Sequence, residues 1–214
     1  MREQLKLTLV SAPAALPLTL DEAKSHLRIE DGDTADDILV TSLTRAATDA
    51  CELFTGRALI SQTWDLFLDR WPAAPEAPLV EGLSIGADLP ARATAIPLPR
   101  PPLQSVLHVK TYDGADQATV WASQNYLVDT ASVPGRVAAR AGHALPLPGR
   151  AVNGIELRFA SGYGDMPGDV PEGLRQGLRL LVAHLYEHRG DDLDKAAEAS
   201  GAARLWRPYR LVGF

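Results

Sequence analysis

Three stretches of the chain repeat apolar residues at steps of three and four, and a long stretch between the second and third alternates them with polar residues. The first helical stretch is "TLDEAKSHLRIE", residues 19–30. Thr19 and Glu22 have the spacing of a capping box, in which each side chain satisfies an orphan backbone donor at the helix start, and Leu20, Ala23 and Leu27 then share a face. The second covers 34–55. Thr34 or Asp33 is placed to cap it, Asp36 and Asp37 suit the positive end of the helix dipole, and Leu39, Leu43, Ala46, Ala50 and Phe54 mark its apolar face. Gly56 supplies the stop. The third covers 171–189, with Pro171 at its first position, a stripe of Leu174, Leu178, Leu181 and Leu185, and Gly190 beyond its end. A short, weaker helix is expected from Leu193.

Period two begins after Gly56. In "TWDLFLDRW", Trp64, Leu66 and Leu68 face one way, and Thr63, Asp65, Phe67 and Asp69 the other, until Pro72 ends the strand. Residues 72–102 have little periodicity and read as a long loop, with a short hairpin near 80–98. Further strands follow in "LQSVLHVKTY", "ATVWASQNYLVD", 136–139 and "GIELRFA", separated by turns at Asp113-Gly114 and Pro134-Gly135. In the last strand Ile155, Leu157 and Phe159 oppose Glu156 and Arg158. The gaps are too short for crossover helices, so the order is antiparallel. Residues 1–18 begin with charges, show no signal-peptide pattern and read as an extended lead-in.

Composition narrows the function classes. The chain has 214 residues, 46% hydrophobic and 22% charged, as expected of a globular domain. Its net charge of −6, from 21 basic and 27 acidic side chains, argues against a protein that works by neutralising nucleic-acid phosphates. A single cysteine, Cys51, rules out an intramolecular disulfide framework. No apolar run approaches the ~20 residues of a membrane-spanning helix.

Reactive constellations are weak. "HLYEH" matches an inverted zinc-protease motif, with His184 and His188 on one helical face and Glu187 between them, but little chain remains to supply a third ligand. "SGYGDMPG" follows a strand and precedes a helix, as a dinucleotide-binding turn does. Its Gly162, Gly164 and Gly168 are nevertheless interspersed with Pro167, next to a strand read as antiparallel, so a structural turn is expected. "DGDTADDILVTS" begins like a calcium loop but has Asp36 at the glycine position and Ser42 in place of the bidentate glutamate. No catalytic residue, metal or cofactor is assigned, and the chain is expected not to be an enzyme. The positive signals lie in surfaces. "LPRPPLQSV" is preset by three prolines, and the tail "RLWRPYRLVGF" has the aromatic and arginine mix of binding hot spots, the alternative being that it folds back on its own core.

Taken in order, "LTLDEAKSHLRIE", the acidic start of a long helix ending in "LFTGRALISQTWDLFLDRWP", "IPLPRPPLQSV", "YLVDTASVPGRV", "IELRFASGYGD" and "VPEGLRQGLRLLVAHLYEHR" resemble the head–tail connector (adaptor) family of tailed bacteriophages and phage-derived gene transfer agents, over roughly residues 17–190. The resemblance implies an α+β fold, a small bundle of three to four helices with an appended antiparallel β-rich region. It divides the chain into the lead-in, an adaptor domain over 19–190 with its β-rich part at 60–160, and a tail over 191–214. It implies a structural virion protein of the neck, a ring of twelve copies under the portal that extends the DNA channel and docks the stopper or tail. The partners implied are further copies of itself, the portal, and a stopper or tail protein, with DNA passing without specific binding. Leu205, Trp206, Arg207, Tyr209, Arg210, Leu211 and Phe214 are the expected portal-binding residues, and a chain lacking 205–214 is expected to fold but not to join heads. Gly56, Trp64 and Trp71 are the expected structural joint between helices and strands. A stopper or tail-completion protein of the same neck, and a zinc hydrolase built on HLYEH, are the alternatives.

Overall fold

The capping box forms as its spacing requires. In the computed structural model, which describes residues 6–30, 32–72 and 95–211, Thr19 N donates to Glu22 Oε2 at 3.0 Å and Glu22 N donates to Thr19 Oγ1 at 3.2 Å, opening α1 (Leu20–Leu27). The helix ends before residue 30 because Arg28 takes a left-handed conformation, φ 59°. The next helix, α2 (Asp37–Thr55), starts three residues after the expected cap. Asp33 spends its carboxylate on Ala35 N at 3.0 Å, in a local turn that postpones the helix. Gly56 closes α2 at φ 73°. Buried threonines in α2 cost little, because Thr44, Thr48 and Thr55 each donate a hydroxyl to the carbonyl four residues back, at 2.7–2.8 Å.

The chain divides into two compact units. The helical unit holds α1, α2, α3 (Glu172–Glu187), α4 (Leu193–Ala199) and α5 (Ala202–Trp206), five helices among the described residues where three or four were expected. Its core joins Val40, Ala47 and Cys51 of α2 to Leu174, Leu178, Leu181 and Leu185 of α3. The α3 stripe is therefore buried as its spacing predicts.

The β unit contains a five-stranded sheet in the order β1 (Lys6–Ser11), β2 (Gln62–Leu68), β8 (Ile155–Ser161), β4 (Leu103–Tyr112), β5 (Ala118–Trp121). A three-stranded sheet has the order β3 (Ala95–Pro97), β7 (Arg136–Ala139), β6 (Tyr126–Asp129). The pairs β4–β5, β6–β7 and β3–β7 are antiparallel, with Val109 opposite Trp121 and Val137 opposite both Val128 and Ile96. Leu66, Val109, Ile155, Leu157 and Phe159 from the larger sheet share a core with Ile96, Tyr126 and Val137 from the smaller. The lead-in over 1–18 thus contributes an edge strand, β1. The expected hairpin over 80–98 lies outside the described residues, apart from the part that forms β3.

Candidate docking surface

The largest buried side chain of the C-terminal segment is Trp206. Trp206 is fully buried, and its indole N–H donates to Leu174 O at 3.1 Å. Its ring lies 6.0 Å from that of Phe54. Gly177 makes room for it, since a Cβ there would sit 2.1 Å from Trp206 Nε1. From this anchor the chain runs through a 3₁₀ turn, Arg207–Tyr209, back to the end of α2. Leu211 N donates to Thr55 O at 3.0 Å, and Arg57 Nε donates to Tyr209 O at 2.6 Å.

The expected portal-binding residues therefore split. Trp206 is core, Leu205, Tyr209 and Leu211 are half-buried, and Arg207 and Arg210 are exposed, while Phe214 lies outside the described residues. The structure counts against the expectation that a chain without 205–214 stays folded, because that deletion removes Trp206 from among Leu174, Gly177 and Phe54. Arg204, which opens the same stretch but is not among the expected portal-binding residues, is exposed as well. The three arginines recur at intervals of three, Arg204 in α5, Arg207 at the start of the 3₁₀ turn and Arg210 just after it, and give the segment a basic ridge of three exposed side chains. That interval was the available signal for Arg204. The Arg210 guanidinium also lies over the Phe54 ring, 5.5 Å from its centre.

The joint residues are distributed between the units. Gly56 ends α2 in the helical unit, with the Leu211 side chain against it. Trp64 and Trp71 belong to the β unit and are half-buried. Trp71 donates its N–H to Pro146 O at 2.6 Å, and its ring is 6.1 Å from that of Trp121.

The polar face of the larger sheet carries a charge network that sequence reading missed. Arg158 grips Asp65 with two hydrogen bonds of 2.8 and 2.7 Å. Glu156 receives Tyr112 Oη at 2.5 Å and Lys110 Nζ at 3.3 Å, and lies 2.7 Å from His108 Nε2. Burial pushes the Glu156 carboxyl up, but the hydrogen bonds from Tyr112, His108 and Lys110 outweigh it and hold the pKa at about 2. Asp65, His108 and Glu156 bring potential ligand atoms within 4.8 Å of one another. Both carboxylates are already matched by cations, Arg158 and Lys110, so a metal ion would have to displace them. The network reads as structural glue.

A pH dependence follows from it. Because the folded-state pKa is depressed, Glu156 stabilises the fold above its ordinary value and loses that contribution as pH falls towards 2. The variant Glu156→Gln is expected to be about 2–3 kcal/mol less stable near neutrality, with the gap from the parent closing between about pH 5 and pH 2. Urea titrations across that range check it, and a gap independent of pH would contradict it.

The HLYEH residues form a terminal cluster on α3. The rings of His184 and His188 stack at 4.5 Å, His184 Nε2 lies 2.9 Å from Asp191 Oδ2, and His188 Nδ1 lies 3.1 Å from His184 O. Among the described residues, this pair is not part of a cluster of three ligand groups close enough to chelate. Cys51 is fully buried, and burial first, then Glu52, pushes its thiol pKa far up, away from nucleophilic use.

A family model for the phage gp6-like head–tail connector protein matches residues 17–130. The chain belongs to that family. The connector also matches solved structures along nearly its whole length. One is the neck of an empty gene transfer agent particle computed with C6 symmetry, with a TM-score of 0.74 and 26% identity over 97% of this chain and 96% of that one. Another is the virion of a native gene transfer agent particle, with a TM-score of 0.74 and 26% identity over 98% of this chain and 97% of the other. A third is the neck of a native particle computed with C12 symmetry, with a TM-score of 0.70 and 27% identity over 97% of this chain and 96% of that one. No curated protein matches. The α+β fold, the connector family and the place in a phage or gene-transfer-agent neck thus agree with the order of motifs read along the sequence.

Proposed function

We propose that the connector is the adaptor of its neck, a ring of twelve copies under the portal that prolongs the DNA channel and presents a docking surface to the stopper or tail. It acts by shape and without catalysis. The end-to-end match to a neck solved with twelvefold symmetry carries this reading. Portal docking is assigned to the ridge of Arg204, Arg207 and Arg210, which stands out of the core that Trp206 anchors. Three exposed guanidiniums on a chain of net charge −6 suit an acidic protein surface. The remaining acidic balance keeps passing DNA from sticking, since like charges repel. A stopper of six copies is the second reading, favoured by the match to a neck computed with C6 symmetry.

The triple variant Arg204→Glu, Arg207→Glu, Arg210→Glu tests the docking assignment. These side chains are exposed, so the variant is expected to melt within about 1 kcal/mol of the parent. Its heads are expected to stay unjoined. Normal joining of heads by a folded variant contradicts the assignment. So does duplex DNA binding by the parent at physiological salt that the variant loses, since that would give the ridge to nucleic acid.

A further inference from the structure

The longest helix leaves one face bare. Along α2 the exposed positions are Ile38, Ser42, Arg45, Asp49 and Leu53, at steps of four and three, which is a single stripe on the side away from the core. Ile38 is 87% exposed and Leu53 is 77% exposed, one near each end of the stripe. Asp37, Ile38, Thr41, Ser42 and Arg45 line a shallow groove in the first turns. Leu53 stands 15 residues on, about 22 Å further along the helix at ~1.5 Å per residue.

We propose that this stripe is where a second copy of the connector packs in the ring. The inference rests on the ring reading above and adds the surface that makes the contact. A closed ring gives every copy two neighbours of its own kind through unlike faces, so each copy must carry an uncovered patch that fits itself elsewhere. The charge of the stripe fits such a partner. Copies of net charge −6 repel, but this face carries one cation, Arg45, and one anion, Asp49. The acid at its start, Asp37, is already paired with Lys24 at 2.9 Å. The neutral face gives an equally acidic copy no cause to avoid it, whereas the arginine ridge suits an acidic partner of a different kind. Its size fits as well. A strip about 22 Å long and about 10 Å wide is far below the ~800 Å² per partner of a stable two-body interface. Copies joined by it alone would stay apart in solution and hold only when a ring closes on the particle.

Photo-crosslinking tests this in assembled particles made with the full chain. A photoreactive phenylalanine analogue at position 38 or 53 is expected to yield an adduct of two connector subunits. An adduct with a heavier particle protein, or none, overturns the proposal. The double variant Ile38→Glu, Leu53→Lys, whose charges suit the two ends of the helix dipole, is expected to fold normally yet to fall at least tenfold in copies per portal. Leu147→Lys, at a position 90% exposed in the β unit, is expected to keep its full complement. Full incorporation of the double variant contradicts the stripe while leaving the ring intact. Absence of the parent connector from every neck overturns the ring reading and the stripe with it.

Discussion

Replacing Trp206 with alanine is expected to lower the unfolding free energy by about 3–5 kcal/mol, the usual range for deleting a fully buried tryptophan. The position combines three losses. The ring leaves a void between Phe54 and α3, Leu174 O loses its indole donor, and Gly177 keeps a gap that no other side chain fills. Because α5 leads directly into the Arg207–Tyr209 turn, the same change releases the arginine ridge, so head joining is expected to fail together with stability. Trp206→Phe separates the two effects. It keeps most of the packing, forfeits the hydrogen bond, and is expected to cost about 1–2 kcal/mol while still joining heads. Urea denaturation followed by fluorescence gives the free energies. A loss below about 1 kcal/mol for Trp206→Ala would show that this side chain does not anchor the segment.

Gly162→Ala is expected to be comparably severe, at about 3 kcal/mol or more. Gly162 has φ 132°, a region closed to side chains, and a Cβ there would lie 2.6 Å from Ile60 C, Ile60 O and Ser61 N. Those are backbone atoms held in place, because Tyr163 N donates to Leu59 O at 3.0 Å and Ser61 N donates to Gly164 O at 2.9 Å. Gly168, in the same glycine-rich stretch, is the control. Nothing lies within 4 Å of a Cβ at that position, so Gly168→Ala is expected to be neutral within about 0.5 kcal/mol. The motif that resembles a dinucleotide turn is thus explained by close packing, of backbone against Gly162 and of the Asp169 side chain against Gly164. Equal tolerance of alanine at positions 162 and 168 would contradict that explanation.

The signals that were legible in the sequence are those decided locally. Thr19 with Glu22, Gly56 after Phe54, and the leucine stripe from Leu174 to Leu185 act within a turn or two of themselves, and each forms as expected. Alternation placed Ile155, Leu157 and Phe159 in the core of their sheet. Contacts between distant segments were not legible. The tail's composition served a docking surface and a core anchor equally well, and Gly177, which decides for the core at Trp206, looks in sequence like a weak point in a helix. Alternation sets Glu156 and Arg158 opposite the apolar face of their strand, but sequence carries no register to bring Asp65, His108, Lys110 and Tyr112 beside them. The bare stripe on α2 was hidden for a related reason. A pattern shows which face of a helix is apolar enough to bury, and it does not show that Ile38 and Leu53 on the other face remain uncovered.

Imaging the neck of the native particle by electron microscopy, without imposed symmetry, tests the account most directly. It predicts one continuous collar of this chain, twelve subunits around the channel immediately beneath the portal. A neck with no such collar, or with six copies placed further down, would contradict it.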